Sequence, residues 1–165
     1  MEEKRKILFF ADYAAEHSMR WSKYFALLGH DVYLITWNHE LDQGSYRDKE
    51  EVIKSFLPVQ VKVLGRNKYF FGMIGKVLSI IFQVRSLVKS VDPDIIHSHS
   101  LGAYSWITLF IFGIRTTLTP WGTDVLIDIK KSFFNRLFSI LSMKKSNLIT
   151  SDALHIKKEL VELGI

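Results

Sequence analysis

Apolar and polar residues follow one another along this chain in blocks whose period switches between that of a buried strand and that of an amphipathic helix. The run KILFF, Lys6 to Phe10, is short, apolar and closed by Asp12, and reads as a buried strand. Trp21, Tyr24, Phe25 and Leu28 then fall at i, i+3, i+4 and i+7, one face of a helix, with Ser18 placed to cap its start and Gly29 to stop it. DVYLITW, 31–37, is a second strand. Strand, helix and strand thus succeed one another in the first 37 residues, and the two-residue Gly29-His30 connection suits a compact βαβ crossover.

From Asn38 to Lys54 the chain is polar and charged and reads as a loop, and VQVKVL, Val59 to Leu64, alternates as a third strand. One long helix is predicted from Tyr69 to Val91, with Ile74, Val77, Leu78, Ile81, Val84 and Val88 at helical spacing and Gly72 and Gly75 near its start. VDPD ends it, because proline disfavours a helical conformation in the residue before it. The alternation then repeats: DIIHS as a strand, Gly102 to Phe112 as a helix, RTTLT as a strand, Phe133 to Met143 as a helix, NLITS as a strand. A last helix carries Ala153, Ile156, Leu160 and Leu163 on one face and has Gly164 at its end. This order predicts an α/β fold: a Rossmann-like open parallel sheet with helices on both faces, whose ligands bind beyond the carboxyl ends of the strands.

Composition narrows the class. With 165 residues, 48% hydrophobic and 24% charged, the chain reads as one folded domain, 1–165, and the absence of cysteine excludes disulfides and thiolate metal sites. MEEKRKILFFADY lacks a signal-peptide core, and the longest apolar stretch, Leu101 to Ile114, stops at Arg115 before it could span a bilayer, so a cytoplasmic protein is expected. Net charge is +5, unevenly spread. No acidic residue lies between Glu51 and Asp92, where Lys54, Lys62, Arg66, Lys68, Lys76, Arg85 and Lys89 accumulate. A second such window, between Asp128 and Asp152, holds Lys130, Lys131, Arg136, Lys144 and Lys145. Such bias suits a phosphate-bearing ligand, an acidic membrane surface or nucleic acid, or else a solvated basic face with no partner. The largely apolar helix from Tyr69, preceded by Arg66 and Lys68, is the segment expected to rest on an anionic bilayer if the first of its faces is not simply the stripe a crossover helix lays on the sheet.

Three clusters fall at the predicted carboxyl edge: Asp12 to His17 after the first strand, His97 and His99 at the end of the fourth, and Pro120-Trp121-Gly122-Thr123-Asp124 after the fifth. The turn ADYAAEHSMRW has no glycine, which argues against a dinucleotide fingerprint, and neither a Walker lysine motif nor H-E-x-x-H occurs. His97 and His99 share a strand face, but no third ligand stands nearby and no metal is expected.

The stretches HSMRWSKYFALLGHDVYLIT, DPDIIHSH, TPWGTD and NLITS, the last leading into a helix that ends LGI, occur in this order along essentially the whole chain. Together they resemble the retaining nucleotide-sugar glycosyltransferases of two-Rossmann-domain architecture, the group that contains sucrose-phosphate synthase and mannosyltransferases. The resemblance implies an amino-terminal, acceptor-binding domain, with the nucleotide sugar held by a second Rossmann-like domain carrying a pair of glutamates. It implies a nucleotide-sugar donor, a lipid-linked or glycan acceptor and no metal; a peripheral place on the inner face of the cell membrane, no cofactor and no nucleic-acid partner are expected alongside it. On this view the 165 residues alone transfer no sugar.

Two departures bear on the donor sugar. Where many members carry a glycine-rich loop, this chain has Asp12-Tyr13-Ala14-Ala15-Glu16-His17, and where many have histidine before the glycine of TPWGTD it has Trp121, a flat ring with one N–H donor suited to stacking on a sugar. Asp12, His17, Arg20, His99, Trp121, Gly122, Thr123 and Asp124 are the expected acceptor or sugar contacts, with His99 and Asp124 the candidates nearest the chemistry. As a carboxylate at the rim of a cleft, Asp124 is expected to matter for transfer and little for stability. Each has a plainer reading: His97 as a core residue, Trp121 as packing, Asp12 and Asp124 as helix caps, Arg20 and Lys23 as solvated charges. A sugar-nucleotide epimerase of the same two-domain plan and a non-catalytic sugar- or nucleotide-binding module are the alternatives.

Overall fold

A computed structural model describes residues 3–13, 15–37, 58–64 and 72–165, in two units, Met1–Asp94 and Ile95–Ile165. The expected loop at 38–54, the start of the long helix at 69–71, and Lys54, Arg66 and Lys68 lie outside the described residues. In the first unit the strands β1 (Lys6–Phe10), β2 (Asp31–Trp37) and β3 (Gln60–Leu64) are parallel in the order β3-β2-β1, with Lys6 opposite Asp31 and Tyr33 opposite Gln60. In the second, β4 (Ile95–Ser98), β5 (Arg115–Leu118) and β6 (Leu148–Ile149) are parallel in the order β4-β5-β6. Six parallel strands alternating with helices make this an α/β, Rossmann-like protein.

Leu8, Phe9 and Phe10 are wholly buried, the continuous apolar run of a strand covered on both faces. Ile7, Phe9 and Ala11 point to one side, where Met19, Trp21, Phe25 and Ala26 of helix α1 (Glu16–Leu27) pack on them. Trp21 and Phe25 of the expected stripe thus face the core, but the buried face is shifted from the one the large residues suggest. Tyr24 and Leu28 are exposed, whereas Ser18 and Ser22 are buried. Small side chains let the helix lie close to the strands, and Ser22 satisfies its hydroxyl within the helix on Ser18 O at 2.6 Å. Nor does Ser18 cap the helix: Ala15 occupies that position, and it does so without a side-chain bond. Gly29 does close it, at φ 94°, with Gly29 N–H bonded to Ala26 O and His30 N–H to Phe25 O, the paired bonds of a Schellman end.

Helix α2 (Gly72–Val91) buries Val84, Val88 and Val91, at i, i+4 and i+7. Two members of its expected stripe, Val77 and Leu78, are exposed instead, as is Phe82. Asp92 leaves the helix at φ 50°, ahead of Pro93. Asp94 then pins the start of β1: its carboxylate accepts from Lys6 N at 2.8 Å and its own N–H reaches Lys6 O at 3.0 Å.

In the second unit the helix expected from Gly102 to Phe112 is one α-turn, α3 (Ala103–Trp106), followed by a 3₁₀ turn at Ile107–Phe110. Thr108 turns its hydroxyl back onto Ser105 O at 2.6 Å, and Lys145 Nζ donates to Thr108 O and Ile111 O, which ends the turn. Burial holds the Lys145 ammonium below the ordinary lysine range. Helices α4 (Gly122–Leu126), α5 (Phe133–Lys145) and α6 (Leu154–Glu162) close the unit over a core of Leu101, Leu118, Val125, Ile129, Met143 and Ile156. Gly102, at φ 85° and ψ −146°, turns the chain from β4 into α3 in a region almost reserved to glycine. Gly122 has no such conformation, and a Cβ there would first meet Ile156 Cδ1 at 3.8 Å. Thermal denaturation of the two alanine variants is therefore expected to separate them: Gly102→Ala costs about 1–3 kcal/mol, and Gly122→Ala costs nothing measurable or slightly stabilises its helix.

Candidate functional site

The carboxyl ends of β4 and β5 lie side by side because the two strands are parallel, with His97 opposite Thr117. Beyond them the chain turns twice, through Leu101 into α3 and through Pro120 into α4, and the candidate side chains of the second unit sit in these turns. Asp124, the third residue of α4, folds back on the turn that precedes it. Its Oδ2 accepts from Trp121 N at 2.9 Å and from Leu101 N at 2.8 Å, so one carboxylate oxygen joins the loop after β5 to the loop after β4. The residue is 8% exposed, and Oδ1 is buried without a hydrogen bond among the described residues. Burial raises its carboxyl above the ordinary range, against the opposing pull of the backbone N–H donors. The expectation of a rim carboxylate is thus corrected: Asp124 is a buried clasp, recruited by two backbone donors that have no other acceptor in the turn.

Trp121 lies over His99, their ring centroids 4.9 Å apart, and its indole N–H donates to His99 O at 2.9 Å. That bond uses the donor the sequence suggested for a ligand. His99 is 4% exposed beneath it. Gly122 is half-buried and Thr123 exposed, as the first two residues of α4.

His97 is built into the sheet. Its Nδ1 meets Thr117 Oγ1 at 2.9 Å and its Nε2 meets Thr119 Oγ1 at 3.1 Å, and Thr119 Oγ1 continues to Thr150 Oγ1 at 2.6 Å. Both ring nitrogens therefore have a threonine hydroxyl as partner, one as donor and the other as acceptor in the neutral ring. Burial holds the imidazole down at about 4, hence neutral. Sequence reasoning missed this row of threonines, although Thr117 and Thr119, two apart and therefore on one face of a strand, were its visible signal.

The remaining candidates belong to the first unit and follow β1. Asp12 is half-buried, its carbonyl accepting from Ala15 N at 3.3 Å, and Tyr13 N–H donates to Thr36 Oγ1. His17 and Arg20, three apart in the first turns of α1, are exposed, and Arg20 pairs with Glu16 at 2.7 Å. The structure therefore brings His99, Trp121, Gly122, Thr123 and Asp124 into one cluster, and Asp12, His17 and Arg20 into one helix entry.

Residues 6–153 match the family described as glycosyl transferase 4-like. The chain belongs to that family. No curated protein matches it. Among solved structures it is similar to a Listeria monocytogenes protein assigned as a UDP-N-acetylglucosamine 2-epimerase, at 13% identity and a TM-score of 0.70, over 99% of this chain and 43% of that one. It is similar to the UDP-GlcNAc 2-epimerase of Methanocaldococcus jannaschii, at 12% and 0.67, again over 99% and 43%. A glycosyltransferase from Rickettsia africae follows at 15% and 0.63, over 99% and 41%. At these identities the likeness establishes the fold that glycosyltransferases and epimerases share, and the chain spans less than half of each of those structures. Within the glycosyl transferase 4-like match lie all eight candidate residues, from Asp12 to Asp124.

Proposed function

We propose that this glycosyl transferase 4-like chain is the acceptor-binding part of an enzyme that moves a sugar from a nucleotide-sugar donor to a lipid-linked or glycan acceptor with retention. The family match over residues 6–153 carries the reading; the half-buried aromatic side chain of Trp121, just past a strand end, supports a role in sugar contact. The donor is held by a second Rossmann-like domain outside these 165 residues. The acceptor hydroxyl attacks the anomeric carbon on the face from which the phosphate departs; the bond to phosphate breaks, the glycosidic bond forms, and the phosphate takes the hydroxyl proton. This unit contributes position and fixed dipoles. Asp124 and His99 hold Trp121 from below, and Asp12, His17 and Arg20 contact acceptor or sugar from the entry of α1. The enzyme works in the cytoplasm, on the inner face of the membrane, without cofactor or metal.

Titration calorimetry of the 165-residue chain with uridine- and guanosine-diphosphate sugars is expected to give neither micromolar binding nor turnover. Micromolar binding accompanied by transfer would overturn the division of labour. In the full-length enzyme, a glycoside product of retained configuration supports transfer, whereas conversion of UDP-N-acetylglucosamine without an acceptor would make the protein an epimerase.

A further inference from the structure

Helix α5 turns a second, unpartnered apolar face outward. Ser132 caps its start, the hydroxyl accepting from Asn135 N at 3.1 Å, and its inner side is made of Ser139, Ser142 and Met143, all buried. The outer side carries Phe133 and Phe134, about 70% exposed, with Leu137 and Leu141 about 40% exposed. At 100° per residue these four fall within an arc of about 100°. Lys144 lies inside the same arc and Arg136 about 60° beyond its edge, both exposed. No acidic residue occurs between Asp128 and Asp152. Of the five cations in that window, Lys131 pairs with Asp128, Lys130 with Glu159, and Lys145 is turned onto backbone carbonyls. Arg136 and Lys144 make no ion pair among the described residues.

We propose that this face of α5 docks on an anionic lipid bilayer. Two phenylalanines and two leucines on one convex helix surface suit burial in the boundary between headgroups and acyl chains, and the two cations beside them then meet the headgroup phosphates while their aliphatic stems stay in the apolar layer. A second copy of the chain fits worse, because an α5-to-α5 contact sets Arg136 and Lys144 against their own like charges. The proposal deepens the peripheral location suggested above, and it moves the contact from the helix the sequence favoured to α5. No helix among the described residues is long and apolar enough to cross a membrane, so the contact is one of lying on the surface.

Flotation with vesicles of phosphatidylcholine, alone or mixed with phosphatidylglycerol, tests it on the 165-residue chain. The chain is expected to float with the mixed vesicles and at least about tenfold less with the neutral ones, and high salt is expected to release it. Phe133→Ser with Phe134→Ser should abolish flotation at an unchanged melting temperature, since both side chains are exposed. Arg136→Glu with Lys144→Glu should weaken it by about fivefold or more per charge. Leu78→Ser with Phe82→Ser on α2 should leave it intact. Loss of flotation in the α2 pair with retention in both α5 pairs would overturn the proposal, as would no binding to either vesicle. Light scattering that shows a dimer dispersed by the Phe133 and Phe134 changes, without vesicle binding, would make this face a protein interface instead. Vesicle binding needs no sugar transfer, so failure here leaves the transferase reading standing, and a failure of transfer leaves this one.

Discussion

Asp124→Ala is expected to destabilise the protein by about 2–4 kcal/mol, because it strips the acceptor from two backbone donors, the buried Leu101 N–H and the part-buried Trp121 N–H. For a chain of this size that corresponds to a fall in melting temperature of roughly 5–15 °C. Asp124→Asn keeps one carbonyl oxygen for the same two donors and should lose less than half as much. Urea denaturation of the three proteins checks this, and an alanine variant as stable as the parent would show that the clasp contributes nothing. The asparagine variant then separates structure from function in the full-length enzyme. If it folds normally and transfers sugar poorly, the buried second oxygen, which has no hydrogen bond among the described residues, serves the acceptor. If it transfers normally, Asp124 matters for transfer only by holding the two loops together.

The second large effect is a loss of stability in mild acid that depends on one histidine. His97 is held down from the ordinary 6.5 to about 4 by burial, so the unfolded chain binds this proton more readily than the folded one throughout that interval. Its contribution is complete above pH 6.5, falls as pH is lowered, and is lost at about pH 4, where about 3 kcal/mol has gone. Asp124 has the opposite sign: with its folded carboxyl raised, it contributes most at low pH and less as pH rises through the carboxylate range. Comparing the parent with His97→Gln isolates the histidine, since glutamine does not titrate and leaves Asp124 unchanged. Denaturation free energies measured from pH 7 down to pH 4 should show the parent losing stability relative to the variant. Parallel curves would mean that the imidazole titrates normally and that its threonine partners do not hold it neutral.

The order of elements was legible in the sequence because strand and helix periods are local properties. KILFF is buried wherever it pairs, Gly29 and Gly164 end helices in the left-handed conformation that their neighbours avoid, and the βαβ crossover follows from a two-residue connection. The faces of the helices were less legible. A count of large apolar residues chose Tyr24 and Leu28 for the core of α1, and Val77 and Leu78 for that of α2. The folded chain chose Ser18 and Ser22 in the first case, since close approach to the strands rewards small side chains, and the helix itself satisfies the hydroxyl of Ser22.

At the candidate site the division runs the same way. That His99, Trp121 and Asp124 stand just past strand ends is written in their spacing after DIIHS and RTTLT. What each side chain does there is not, because its partner is remote along the chain. Asp124 bonds to Leu101, 23 residues away, Trp121 donates to His99, 22 away, and Thr119 meets Thr150, 31 away. A hydrogen bond is set by distance and direction in space, and until the strands lie parallel those partners have no common position. The sequence by itself determined which groups could compete for the carboxyl edge; the tertiary structure alone decided which of them turned inward to bind the backbone and which stayed exposed.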